Sequence, residues 1–184
     1  MIISEFDRKN IGLKDQLADL LRLTWPTKYG EEPMKEVECL LESRRIAVSA
    51  VEKDKLVGFV GAIPQYHSTG WELHPLVVES SYRKKQVGSR LIDYIEKEVA
   101  SKGGLTIYLG TDDVDGQTSL SQVDLFEQPL EKLKTIQNLD EHPYSFYEKM
   151  GYQIVGVIPD ANGWNQPNIW MAKRVGKKGA DVKK

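Results

Sequence analysis

Cysteine occurs once in 184 residues, as Cys39, which excludes an intramolecular disulfide and suits a reducing compartment. On a helix-like segment it reads as packing rather than as a nucleophile. Histidine is nearly as scarce. Glu72-x-His74 resembles half a ligand pair, but His67 and His142 have no zinc spacing with it and no cysteines support it, so no metal is expected. Long apolar runs are missing too. None approaches the roughly 20 residues of a membrane span, and MIISEFDRKN has no stretch of signal-peptide length, so a cytoplasmic protein without a membrane partner is expected. Nor is there an excess of one charge. The net charge is −2 and the pI is near 6.0, which gives no ground for a nucleic-acid partner and makes any charge recognition local. No repeat is apparent. The length suits one domain, expected over residues 1–175, with 176–184, GKKGADVKK, as a flexible tail.

The most committed stretch runs from Trp71 to Lys102, WELHPLVVESSYRKKQVGSRLIDYIEKEVASK. Its start alternates as a strand does, which puts Trp71 and Leu73 on one face and Glu72 and His74 on the other. From Val87 the apolar residues Val87, Leu91, Ile95 and Val99 recur at helical spacing. Between strand and helix lies SSYRKKQVG with Arg83, Lys84 and Lys85. Three cations beside the free N–H groups of a helix N-terminus suit a phosphorylated ligand. On these residues alone, a basic loop that merely caps a helix fits equally well.

Around this stretch the chain supplies a sheet and its cover. A strand at Ile2 to Phe6 precedes a helix carrying Leu13, Leu17, Leu20 and Leu21, which the segment TWPTKYGEEP stops near Trp25. A second helix follows over about Met34 to Leu41, and the intervening loop, with Trp25 and Tyr29, is placed to wall a pocket. Arg45 to Val51 and Lys55 to Ile63 read as a hairpin, so three antiparallel strands lead into the one at Gly70. Leu105 to Gly110 reads as the next strand, parallel to it by a right-handed crossover. Residues 111–140 turn polar, with Asp112, Asp113, Asp115, Asp124 and Glu127. They read as a solvated acidic loop or as an attractor for a cationic substrate. A short helix at Tyr144 to Met150, stopped by Gly151, leads into a strand at Tyr152 to Val157, and ANGWNQPNIWMAKRV ends in an edge-like strand.

Two motifs in this order resemble a known family. Arg83-x-x-Gln86-x-Gly88 looks like the pyrophosphate loop of the GCN5-related N-acetyltransferases (GNAT), with Gln86 where the family usually has its first glycine. Phe146-Tyr147-x-x-x-Gly151-Tyr152 looks like that family's aromatic-Tyr-x-x-x-Gly-Phe/Tyr segment. Longer strings, among them LLRLTWP, GAIPQY, GWELHPLVVESS, IYLGTDD and EHPYSFYEKMGY, resemble the aminoglycoside 6'-N-acetyltransferases of the chromosomal enterococcal type, from Met1 to about Lys173. The resemblance implies an α+β fold of α/β/α GNAT-like form: a mixed, mostly antiparallel sheet splayed at its central strand, with helices on both faces. It also implies acetyl-CoA as cosubstrate, an aminoglycoside as acceptor, antibiotic resistance as the outcome and a homodimer as the assembly.

The chemistry then distributes roles. An amine attacks a thioester only when neutral, so Glu72 is expected to receive a proton and attract the cation, with His74 orienting the amine or relaying the proton. Pro75 has no N–H and interrupts strand pairing, which makes the Leu76 amide the candidate donor to the thioester oxygen. Leu76, Val77 and Val78 are expected to pair with the pantetheine arm. The pyrophosphate falls to Arg83, Lys84, Lys85, Gln86, Val87, Gly88 and Ser89. By resemblance Tyr147 protonates the leaving thiolate, and Asn138 and Pro143 touch the coenzyme. Asp112 and Asp115 join Glu72 as counter-charges to the antibiotic, with Trp25 and Tyr66 as pocket walls. Two other readings stay open: acetylation of polyamines, peptides or a protein amine, and a module that binds acetyl-CoA without turnover.

Overall fold

The computed structural model describes residues 1–177, so the expected tail lies, from residue 178 on, outside the described residues. Two compact units emerge, one built from Met1–Ile107 with Val175 returning to it, the other from Tyr108–Arg174. In the first, strands β1 (Ile2–Glu5), β2 (Ile46–Glu52), β3 (Lys55–Gln65) and β4 (Gly70–Val78) follow one another as antiparallel neighbours. Helix α1 (Ile11–Thr24) opens at Asn10, whose side chain accepts the Leu13 N–H at 3.1 Å, and closes at Trp25 because proline follows. Helices α2 (Pro26–Tyr29) and α3 (Pro33–Leu40) each start on proline, whose missing N–H costs nothing in a first turn.

Helices cover both faces of this four-stranded part. Leu17, Leu21, Val37 and Leu40 of α1 and α3 share a core with Phe6, Phe59 and Val77. Helix α4 (Val87–Ser101) takes the other face and fully buries Leu91, Ile92, Ile95 and Val99. The assignment follows from neighbouring residues on β3. Phe59 belongs to the α1 core, whereas a Cβ on Gly58 would stand 3.0 Å from Leu91 Cδ1. Burying each such side chain contributes about 1.5–3 kcal/mol, so α4 is held by its apolar stripe more than by local propensity.

The regular β3–β4 ladder breaks at one place. Val60 faces Leu76 but Ala62 faces Leu73, which leaves Gly61 opposite two residues, His74 and Pro75. Such a bulge shifts the side-chain alternation by one. Before it, Trp71 and Leu73 point to the α4 face and Glu72 and His74 to the α1 face; after it, Leu76 and Val78 point to the α4 face and Val77 to the α1 core. Pro75 supplies no donor there. Gly61 makes the bulge possible, since a Cβ on it would lie 2.5 Å from the His74 carbonyl oxygen.

Strand β5 (Thr106–Asp112), which begins in the first unit and continues into the second, runs two residues further than expected. A long excursion carrying α5 (Pro129–Lys134) leads to α6 (Tyr144–Lys149), then β6 (Gln153–Ile158) and β7 (Asn168–Arg174), an antiparallel pair. Gly151, at φ +87°, ends α6 as expected. The seven strands form a mixed sheet in the order β1-β2-β3-β4-β5-β7-β6. This corrects one expectation, because the last strand is inserted between β5 and β6 and the edge is β6. Burial explains the choice: Ile169 and Met171 on β7 are fully buried, while Val155 and Ile158 on β6 are exposed.

Gly61→Ala is expected to lower stability by about 1–3 kcal/mol, because the new methyl must displace the bulged strand. Denaturant unfolding reads this directly, and an unchanged midpoint would show that the strands have slack at the bulge.

Candidate active site

The phosphate-loop residues of the notable stretch sit together at the start of α4. Ser80–Tyr82 make one 3-10 turn, and Arg83 returns its Nε to the Val78 carbonyl at 3.2 Å. Lys84 and Gln86 both take positive φ, +58° and +61°. The left-handed turn that a glycine would adopt without cost is therefore kept by Gln86. The helix has no side-chain cap and no acid in its first turn, and its own ladder begins with Arg90 N–H donating to Gln86 O at 3.1 Å. The amides of Val87, Gly88 and Ser89 precede that ladder and face the N-terminal end, beside exposed Arg83, Lys84 and Lys85. A diphosphate fits this chemistry: donors, a helix dipole of the right sign and exposed cations.

On β4 the half-buried Glu72 and His74 project from the same face. His74 Nε2 lies 3.4 Å from the hydroxyl of Tyr29, a buried residue whose ring meets Trp25 edge to face at 5.9 Å. Trp25, Tyr29 and His74 thus form one chain of contacts reaching the β4 bulge. Tyr66 is 70% exposed in the β3–β4 turn, with its ring against Gly70. Backbone geometry is informative at Leu76. Glu79 N–H donates to Val57 O at 3.0 Å, so by antiparallel alternation Phe59 and Val77 are a hydrogen-bonded pair and Val60 and Leu76 are not. The Leu76 N–H therefore points away from β3.

In the second unit Tyr147 is buried between Phe146 and Tyr152, with centroids at 5.2 and 5.8 Å. Burial pushes its phenol well above the ordinary tyrosine range, which keeps the proton on oxygen. Exposed Pro143 starts the helix, its carbonyl accepting Tyr147 N–H at 3.3 Å. Asn138 spends its amide within the chain: Nδ2 donates to His142 O and Ser145 Oγ, and Oδ1 accepts His142 N–H, all at 2.7–2.8 Å. Asp112 is exposed, but its Oδ1 already accepts from Asn162 and Asn168, whereas Asp115 is exposed with no partner among the described residues. Asp113 is fully buried and accepts from Gln117 N–H, Thr118 N–H and Thr118 Oγ at 2.6–2.9 Å. That carboxylate is therefore a loop clasp. Among the described residues no group of His, Cys, Asp and Glu is placed to hold a metal.

Known proteins resemble the chain as a whole. The acetyltransferase (GNAT) family profile matches residues 14–130. The chain belongs to this family. It is 66% identical to an aminoglycoside 6'-N-acetyltransferase complexed with coenzyme A, with a TM-score of 0.95 and coverage of 97% of this chain and 99% of that one. The aminoglycoside 6'-N-acetyltransferase of Enterococcus faecium gives 66% identity and a TM-score of 0.93 over the same shares. An aminoglycoside 6'-acetyltransferase type Ii gives 60% and 0.80, again over 97% and 99%. No curated protein sequence matches the chain.

Within this family member the sequence reading missed three residues of consequence. Asn162 and Asn168 reach Asp112 from 50 and 56 residues away. His142 is the third. It is 1% exposed, its Nε2 lies 3.1 Å from the Asp112 carbonyl, and its Nδ1 accepts the Tyr144 N–H at 3.2 Å. This pattern requires a neutral ring protonated on Nε2, and burial holds its pKa below the ordinary 6.5.

A histidine depressed in the folded state takes up its proton more readily when unfolded. Stability contributed by the neutral ring is therefore present above pH 6.5 and is lost progressively as pH falls from 6.5 toward the folded-state pKa. Urea unfolding at pH 7.5 and pH 5.5 is expected to show the loss at the lower pH. Equal stability at both would contradict a neutral, buried His142.

Proposed function

We infer that this protein is an acetyl-CoA-dependent aminoglycoside 6'-N-acetyltransferase. The observation that carries the inference is 66% identity over nearly the whole chain to two enzymes of that activity. The coenzyme's diphosphate is assigned to the amides of Val87, Gly88 and Ser89 and to Arg83, Lys84, Lys85 and Gln86. Its pantetheine arm is assigned to the backbone of Leu76, Val77 and Val78 as an added strand.

In the proposed mechanism Glu72 takes the proton that the aminoglycoside ammonium must lose, and His74 orients the amine. The attacking nitrogen forms its bond to the thioester carbon. Negative charge develops on the thioester oxygen, and the Leu76 N–H, turned away from β3, stabilises it; a donor of this kind contributes about 3 kcal/mol. The carbon–sulfur bond then breaks, Tyr147 gives its proton to the thiolate, and the second proton that the nitrogen sheds as the amide forms leaves to solvent, from which the phenol is restored. Asn138 and Pro143 act here by setting the start of α6, and hence the place of Tyr147. Glu72, Asp112 and Asp115 are the counter-charges to the antibiotic, with Trp25 and Tyr66 as walls. We further propose a cytoplasmic homodimer whose activity confers aminoglycoside resistance.

Thiol release from acetyl-CoA tests this with kanamycin or tobramycin beside polyamines and a basic peptide. The expected result is a clear preference for aminoglycosides bearing a 6'-amino group; preference for a polyamine or the peptide would replace the proposed substrate. Glu72→Gln and Tyr147→Phe are each expected to lower kcat by about 10²- to 10⁴-fold, the usual contribution of a positioned acid or base. Unchanged turnover in both would remove the assigned roles.

A further inference from the structure

Beside the phosphate loop stands a polar network that the proposed mechanism does not use. Tyr82, half-buried at the end of the 3-10 turn, donates its hydroxyl to Glu52 Oε2 at 2.9 Å, 30 residues away on β2. The Glu79 carboxylate, at the start of the same turn, accepts from Lys55 Nζ at 2.9 Å, 24 residues away on β3, and from Ser81 Oγ at 2.9 Å. The turn is thereby tied to the β2–β3 hairpin at both ends. Two ammonium groups approach the Tyr82 ring, Lys55 at 5.8 Å and Lys85 at 5.3 Å from its centroid. Their situations differ. Lys55 is balanced by Glu79, whereas Lys85 has no carboxylate partner among the described residues and has the ring instead.

We propose that Tyr82 is a positioning residue, fixed by Glu52, that holds Lys85 through its ring so that the ammonium is presented to the coenzyme's phosphates. The inference rests on the coenzyme assignment above and adds a residue to it. A ring suits the task because it orients a cation without neutralising it; a carboxylate in its place would compete with the phosphate. The hydroxyl bond matters because it fixes the ring plane. Lys84, Lys85 and Arg83 would otherwise repel one another on a short turn, and the ring restrains one of them.

The test uses the intact protein and two acetyl donors, acetyl-CoA and S-acetylpantetheine, which has the thioester arm but no diphosphate. Tyr82→Leu is expected to weaken CoA binding, read by calorimetry, by about three- to tenfold, and to raise KM for acetyl-CoA with kcat unchanged. Turnover of S-acetylpantetheine should stay within about twofold of the wild type, and Tyr82→Phe, which keeps the ring but loses the Glu52 bond, should fall between the two. In a Lys85→Ala background Tyr82→Leu should add almost nothing, since coupled residues are not additive. An equal loss with both donors, or full additivity with Lys85→Ala, would overturn the proposal, as would wild-type affinity for CoA in Tyr82→Leu. A wild-type protein without CoA affinity would instead overturn the coenzyme assignment, and this inference with it.

Discussion

The site depends on one steric constraint: two residues of β4 must pass one residue of β3. Only a residue without a side chain fits opposite His74 and Pro75, where the His74 carbonyl stands 2.5 Å from the place a Cβ of Gly61 would take. Two consequences follow from the extra residue. It shifts the alternation, so that Glu72 and His74 share a face with Val77 instead of opposing it. It also precedes a strand end in which the Leu76 amide is turned away from its antiparallel neighbour. A carboxylate and a main-chain donor turned away from β3 thus arise from one irregularity within five residues of sequence.

The anion site proposed beside it is built from things left undone. Helix α4 has no capping side chain and no acid in its first turn. An ordinary helix would be more stable with both, by about 0.5–2 kcal/mol for the cap alone. Leaving out that stabilisation keeps the first amides clear of a capping side chain, and the apolar stripe of α4 holds the helix regardless. The cations are handled with similar restraint, since the ion pair that Glu79 makes is with Lys55 on β3.

Local periodicity made most elements legible. The stripe of α4, the β2–β3 hairpin and the glycine stop of α6 each follow from spacing that no distant contact overrides. The position of β7 did not, because ANGWNQPNIWMAKRV looks like a polar-flanked terminal strand until the burial of Ile169 and Met171 draws it inside. Charged residues were the least legible. Asp113 read as part of an acidic surface, but it is a fully buried clasp on Thr118, and Asp112 is engaged by two asparagines more than 45 residues away. A carboxylate's partners are set by tertiary structure, which residue spacing does not encode. Tyr29 shows the same limit, since only the folded chain brings it to His74.

The proposed chemistry requires the Leu76 N–H as the donor to the reacting thioester oxygen. The most direct measurement is the amide resonance of Leu76 during titration with a stable acetyl-CoA analogue that keeps the carbonyl, compared with titration by CoA alone. A large downfield shift with the analogue and a small one with CoA is the predicted result. A Leu76 amide already protected from solvent exchange in the free protein, and unmoved by the analogue, would contradict it.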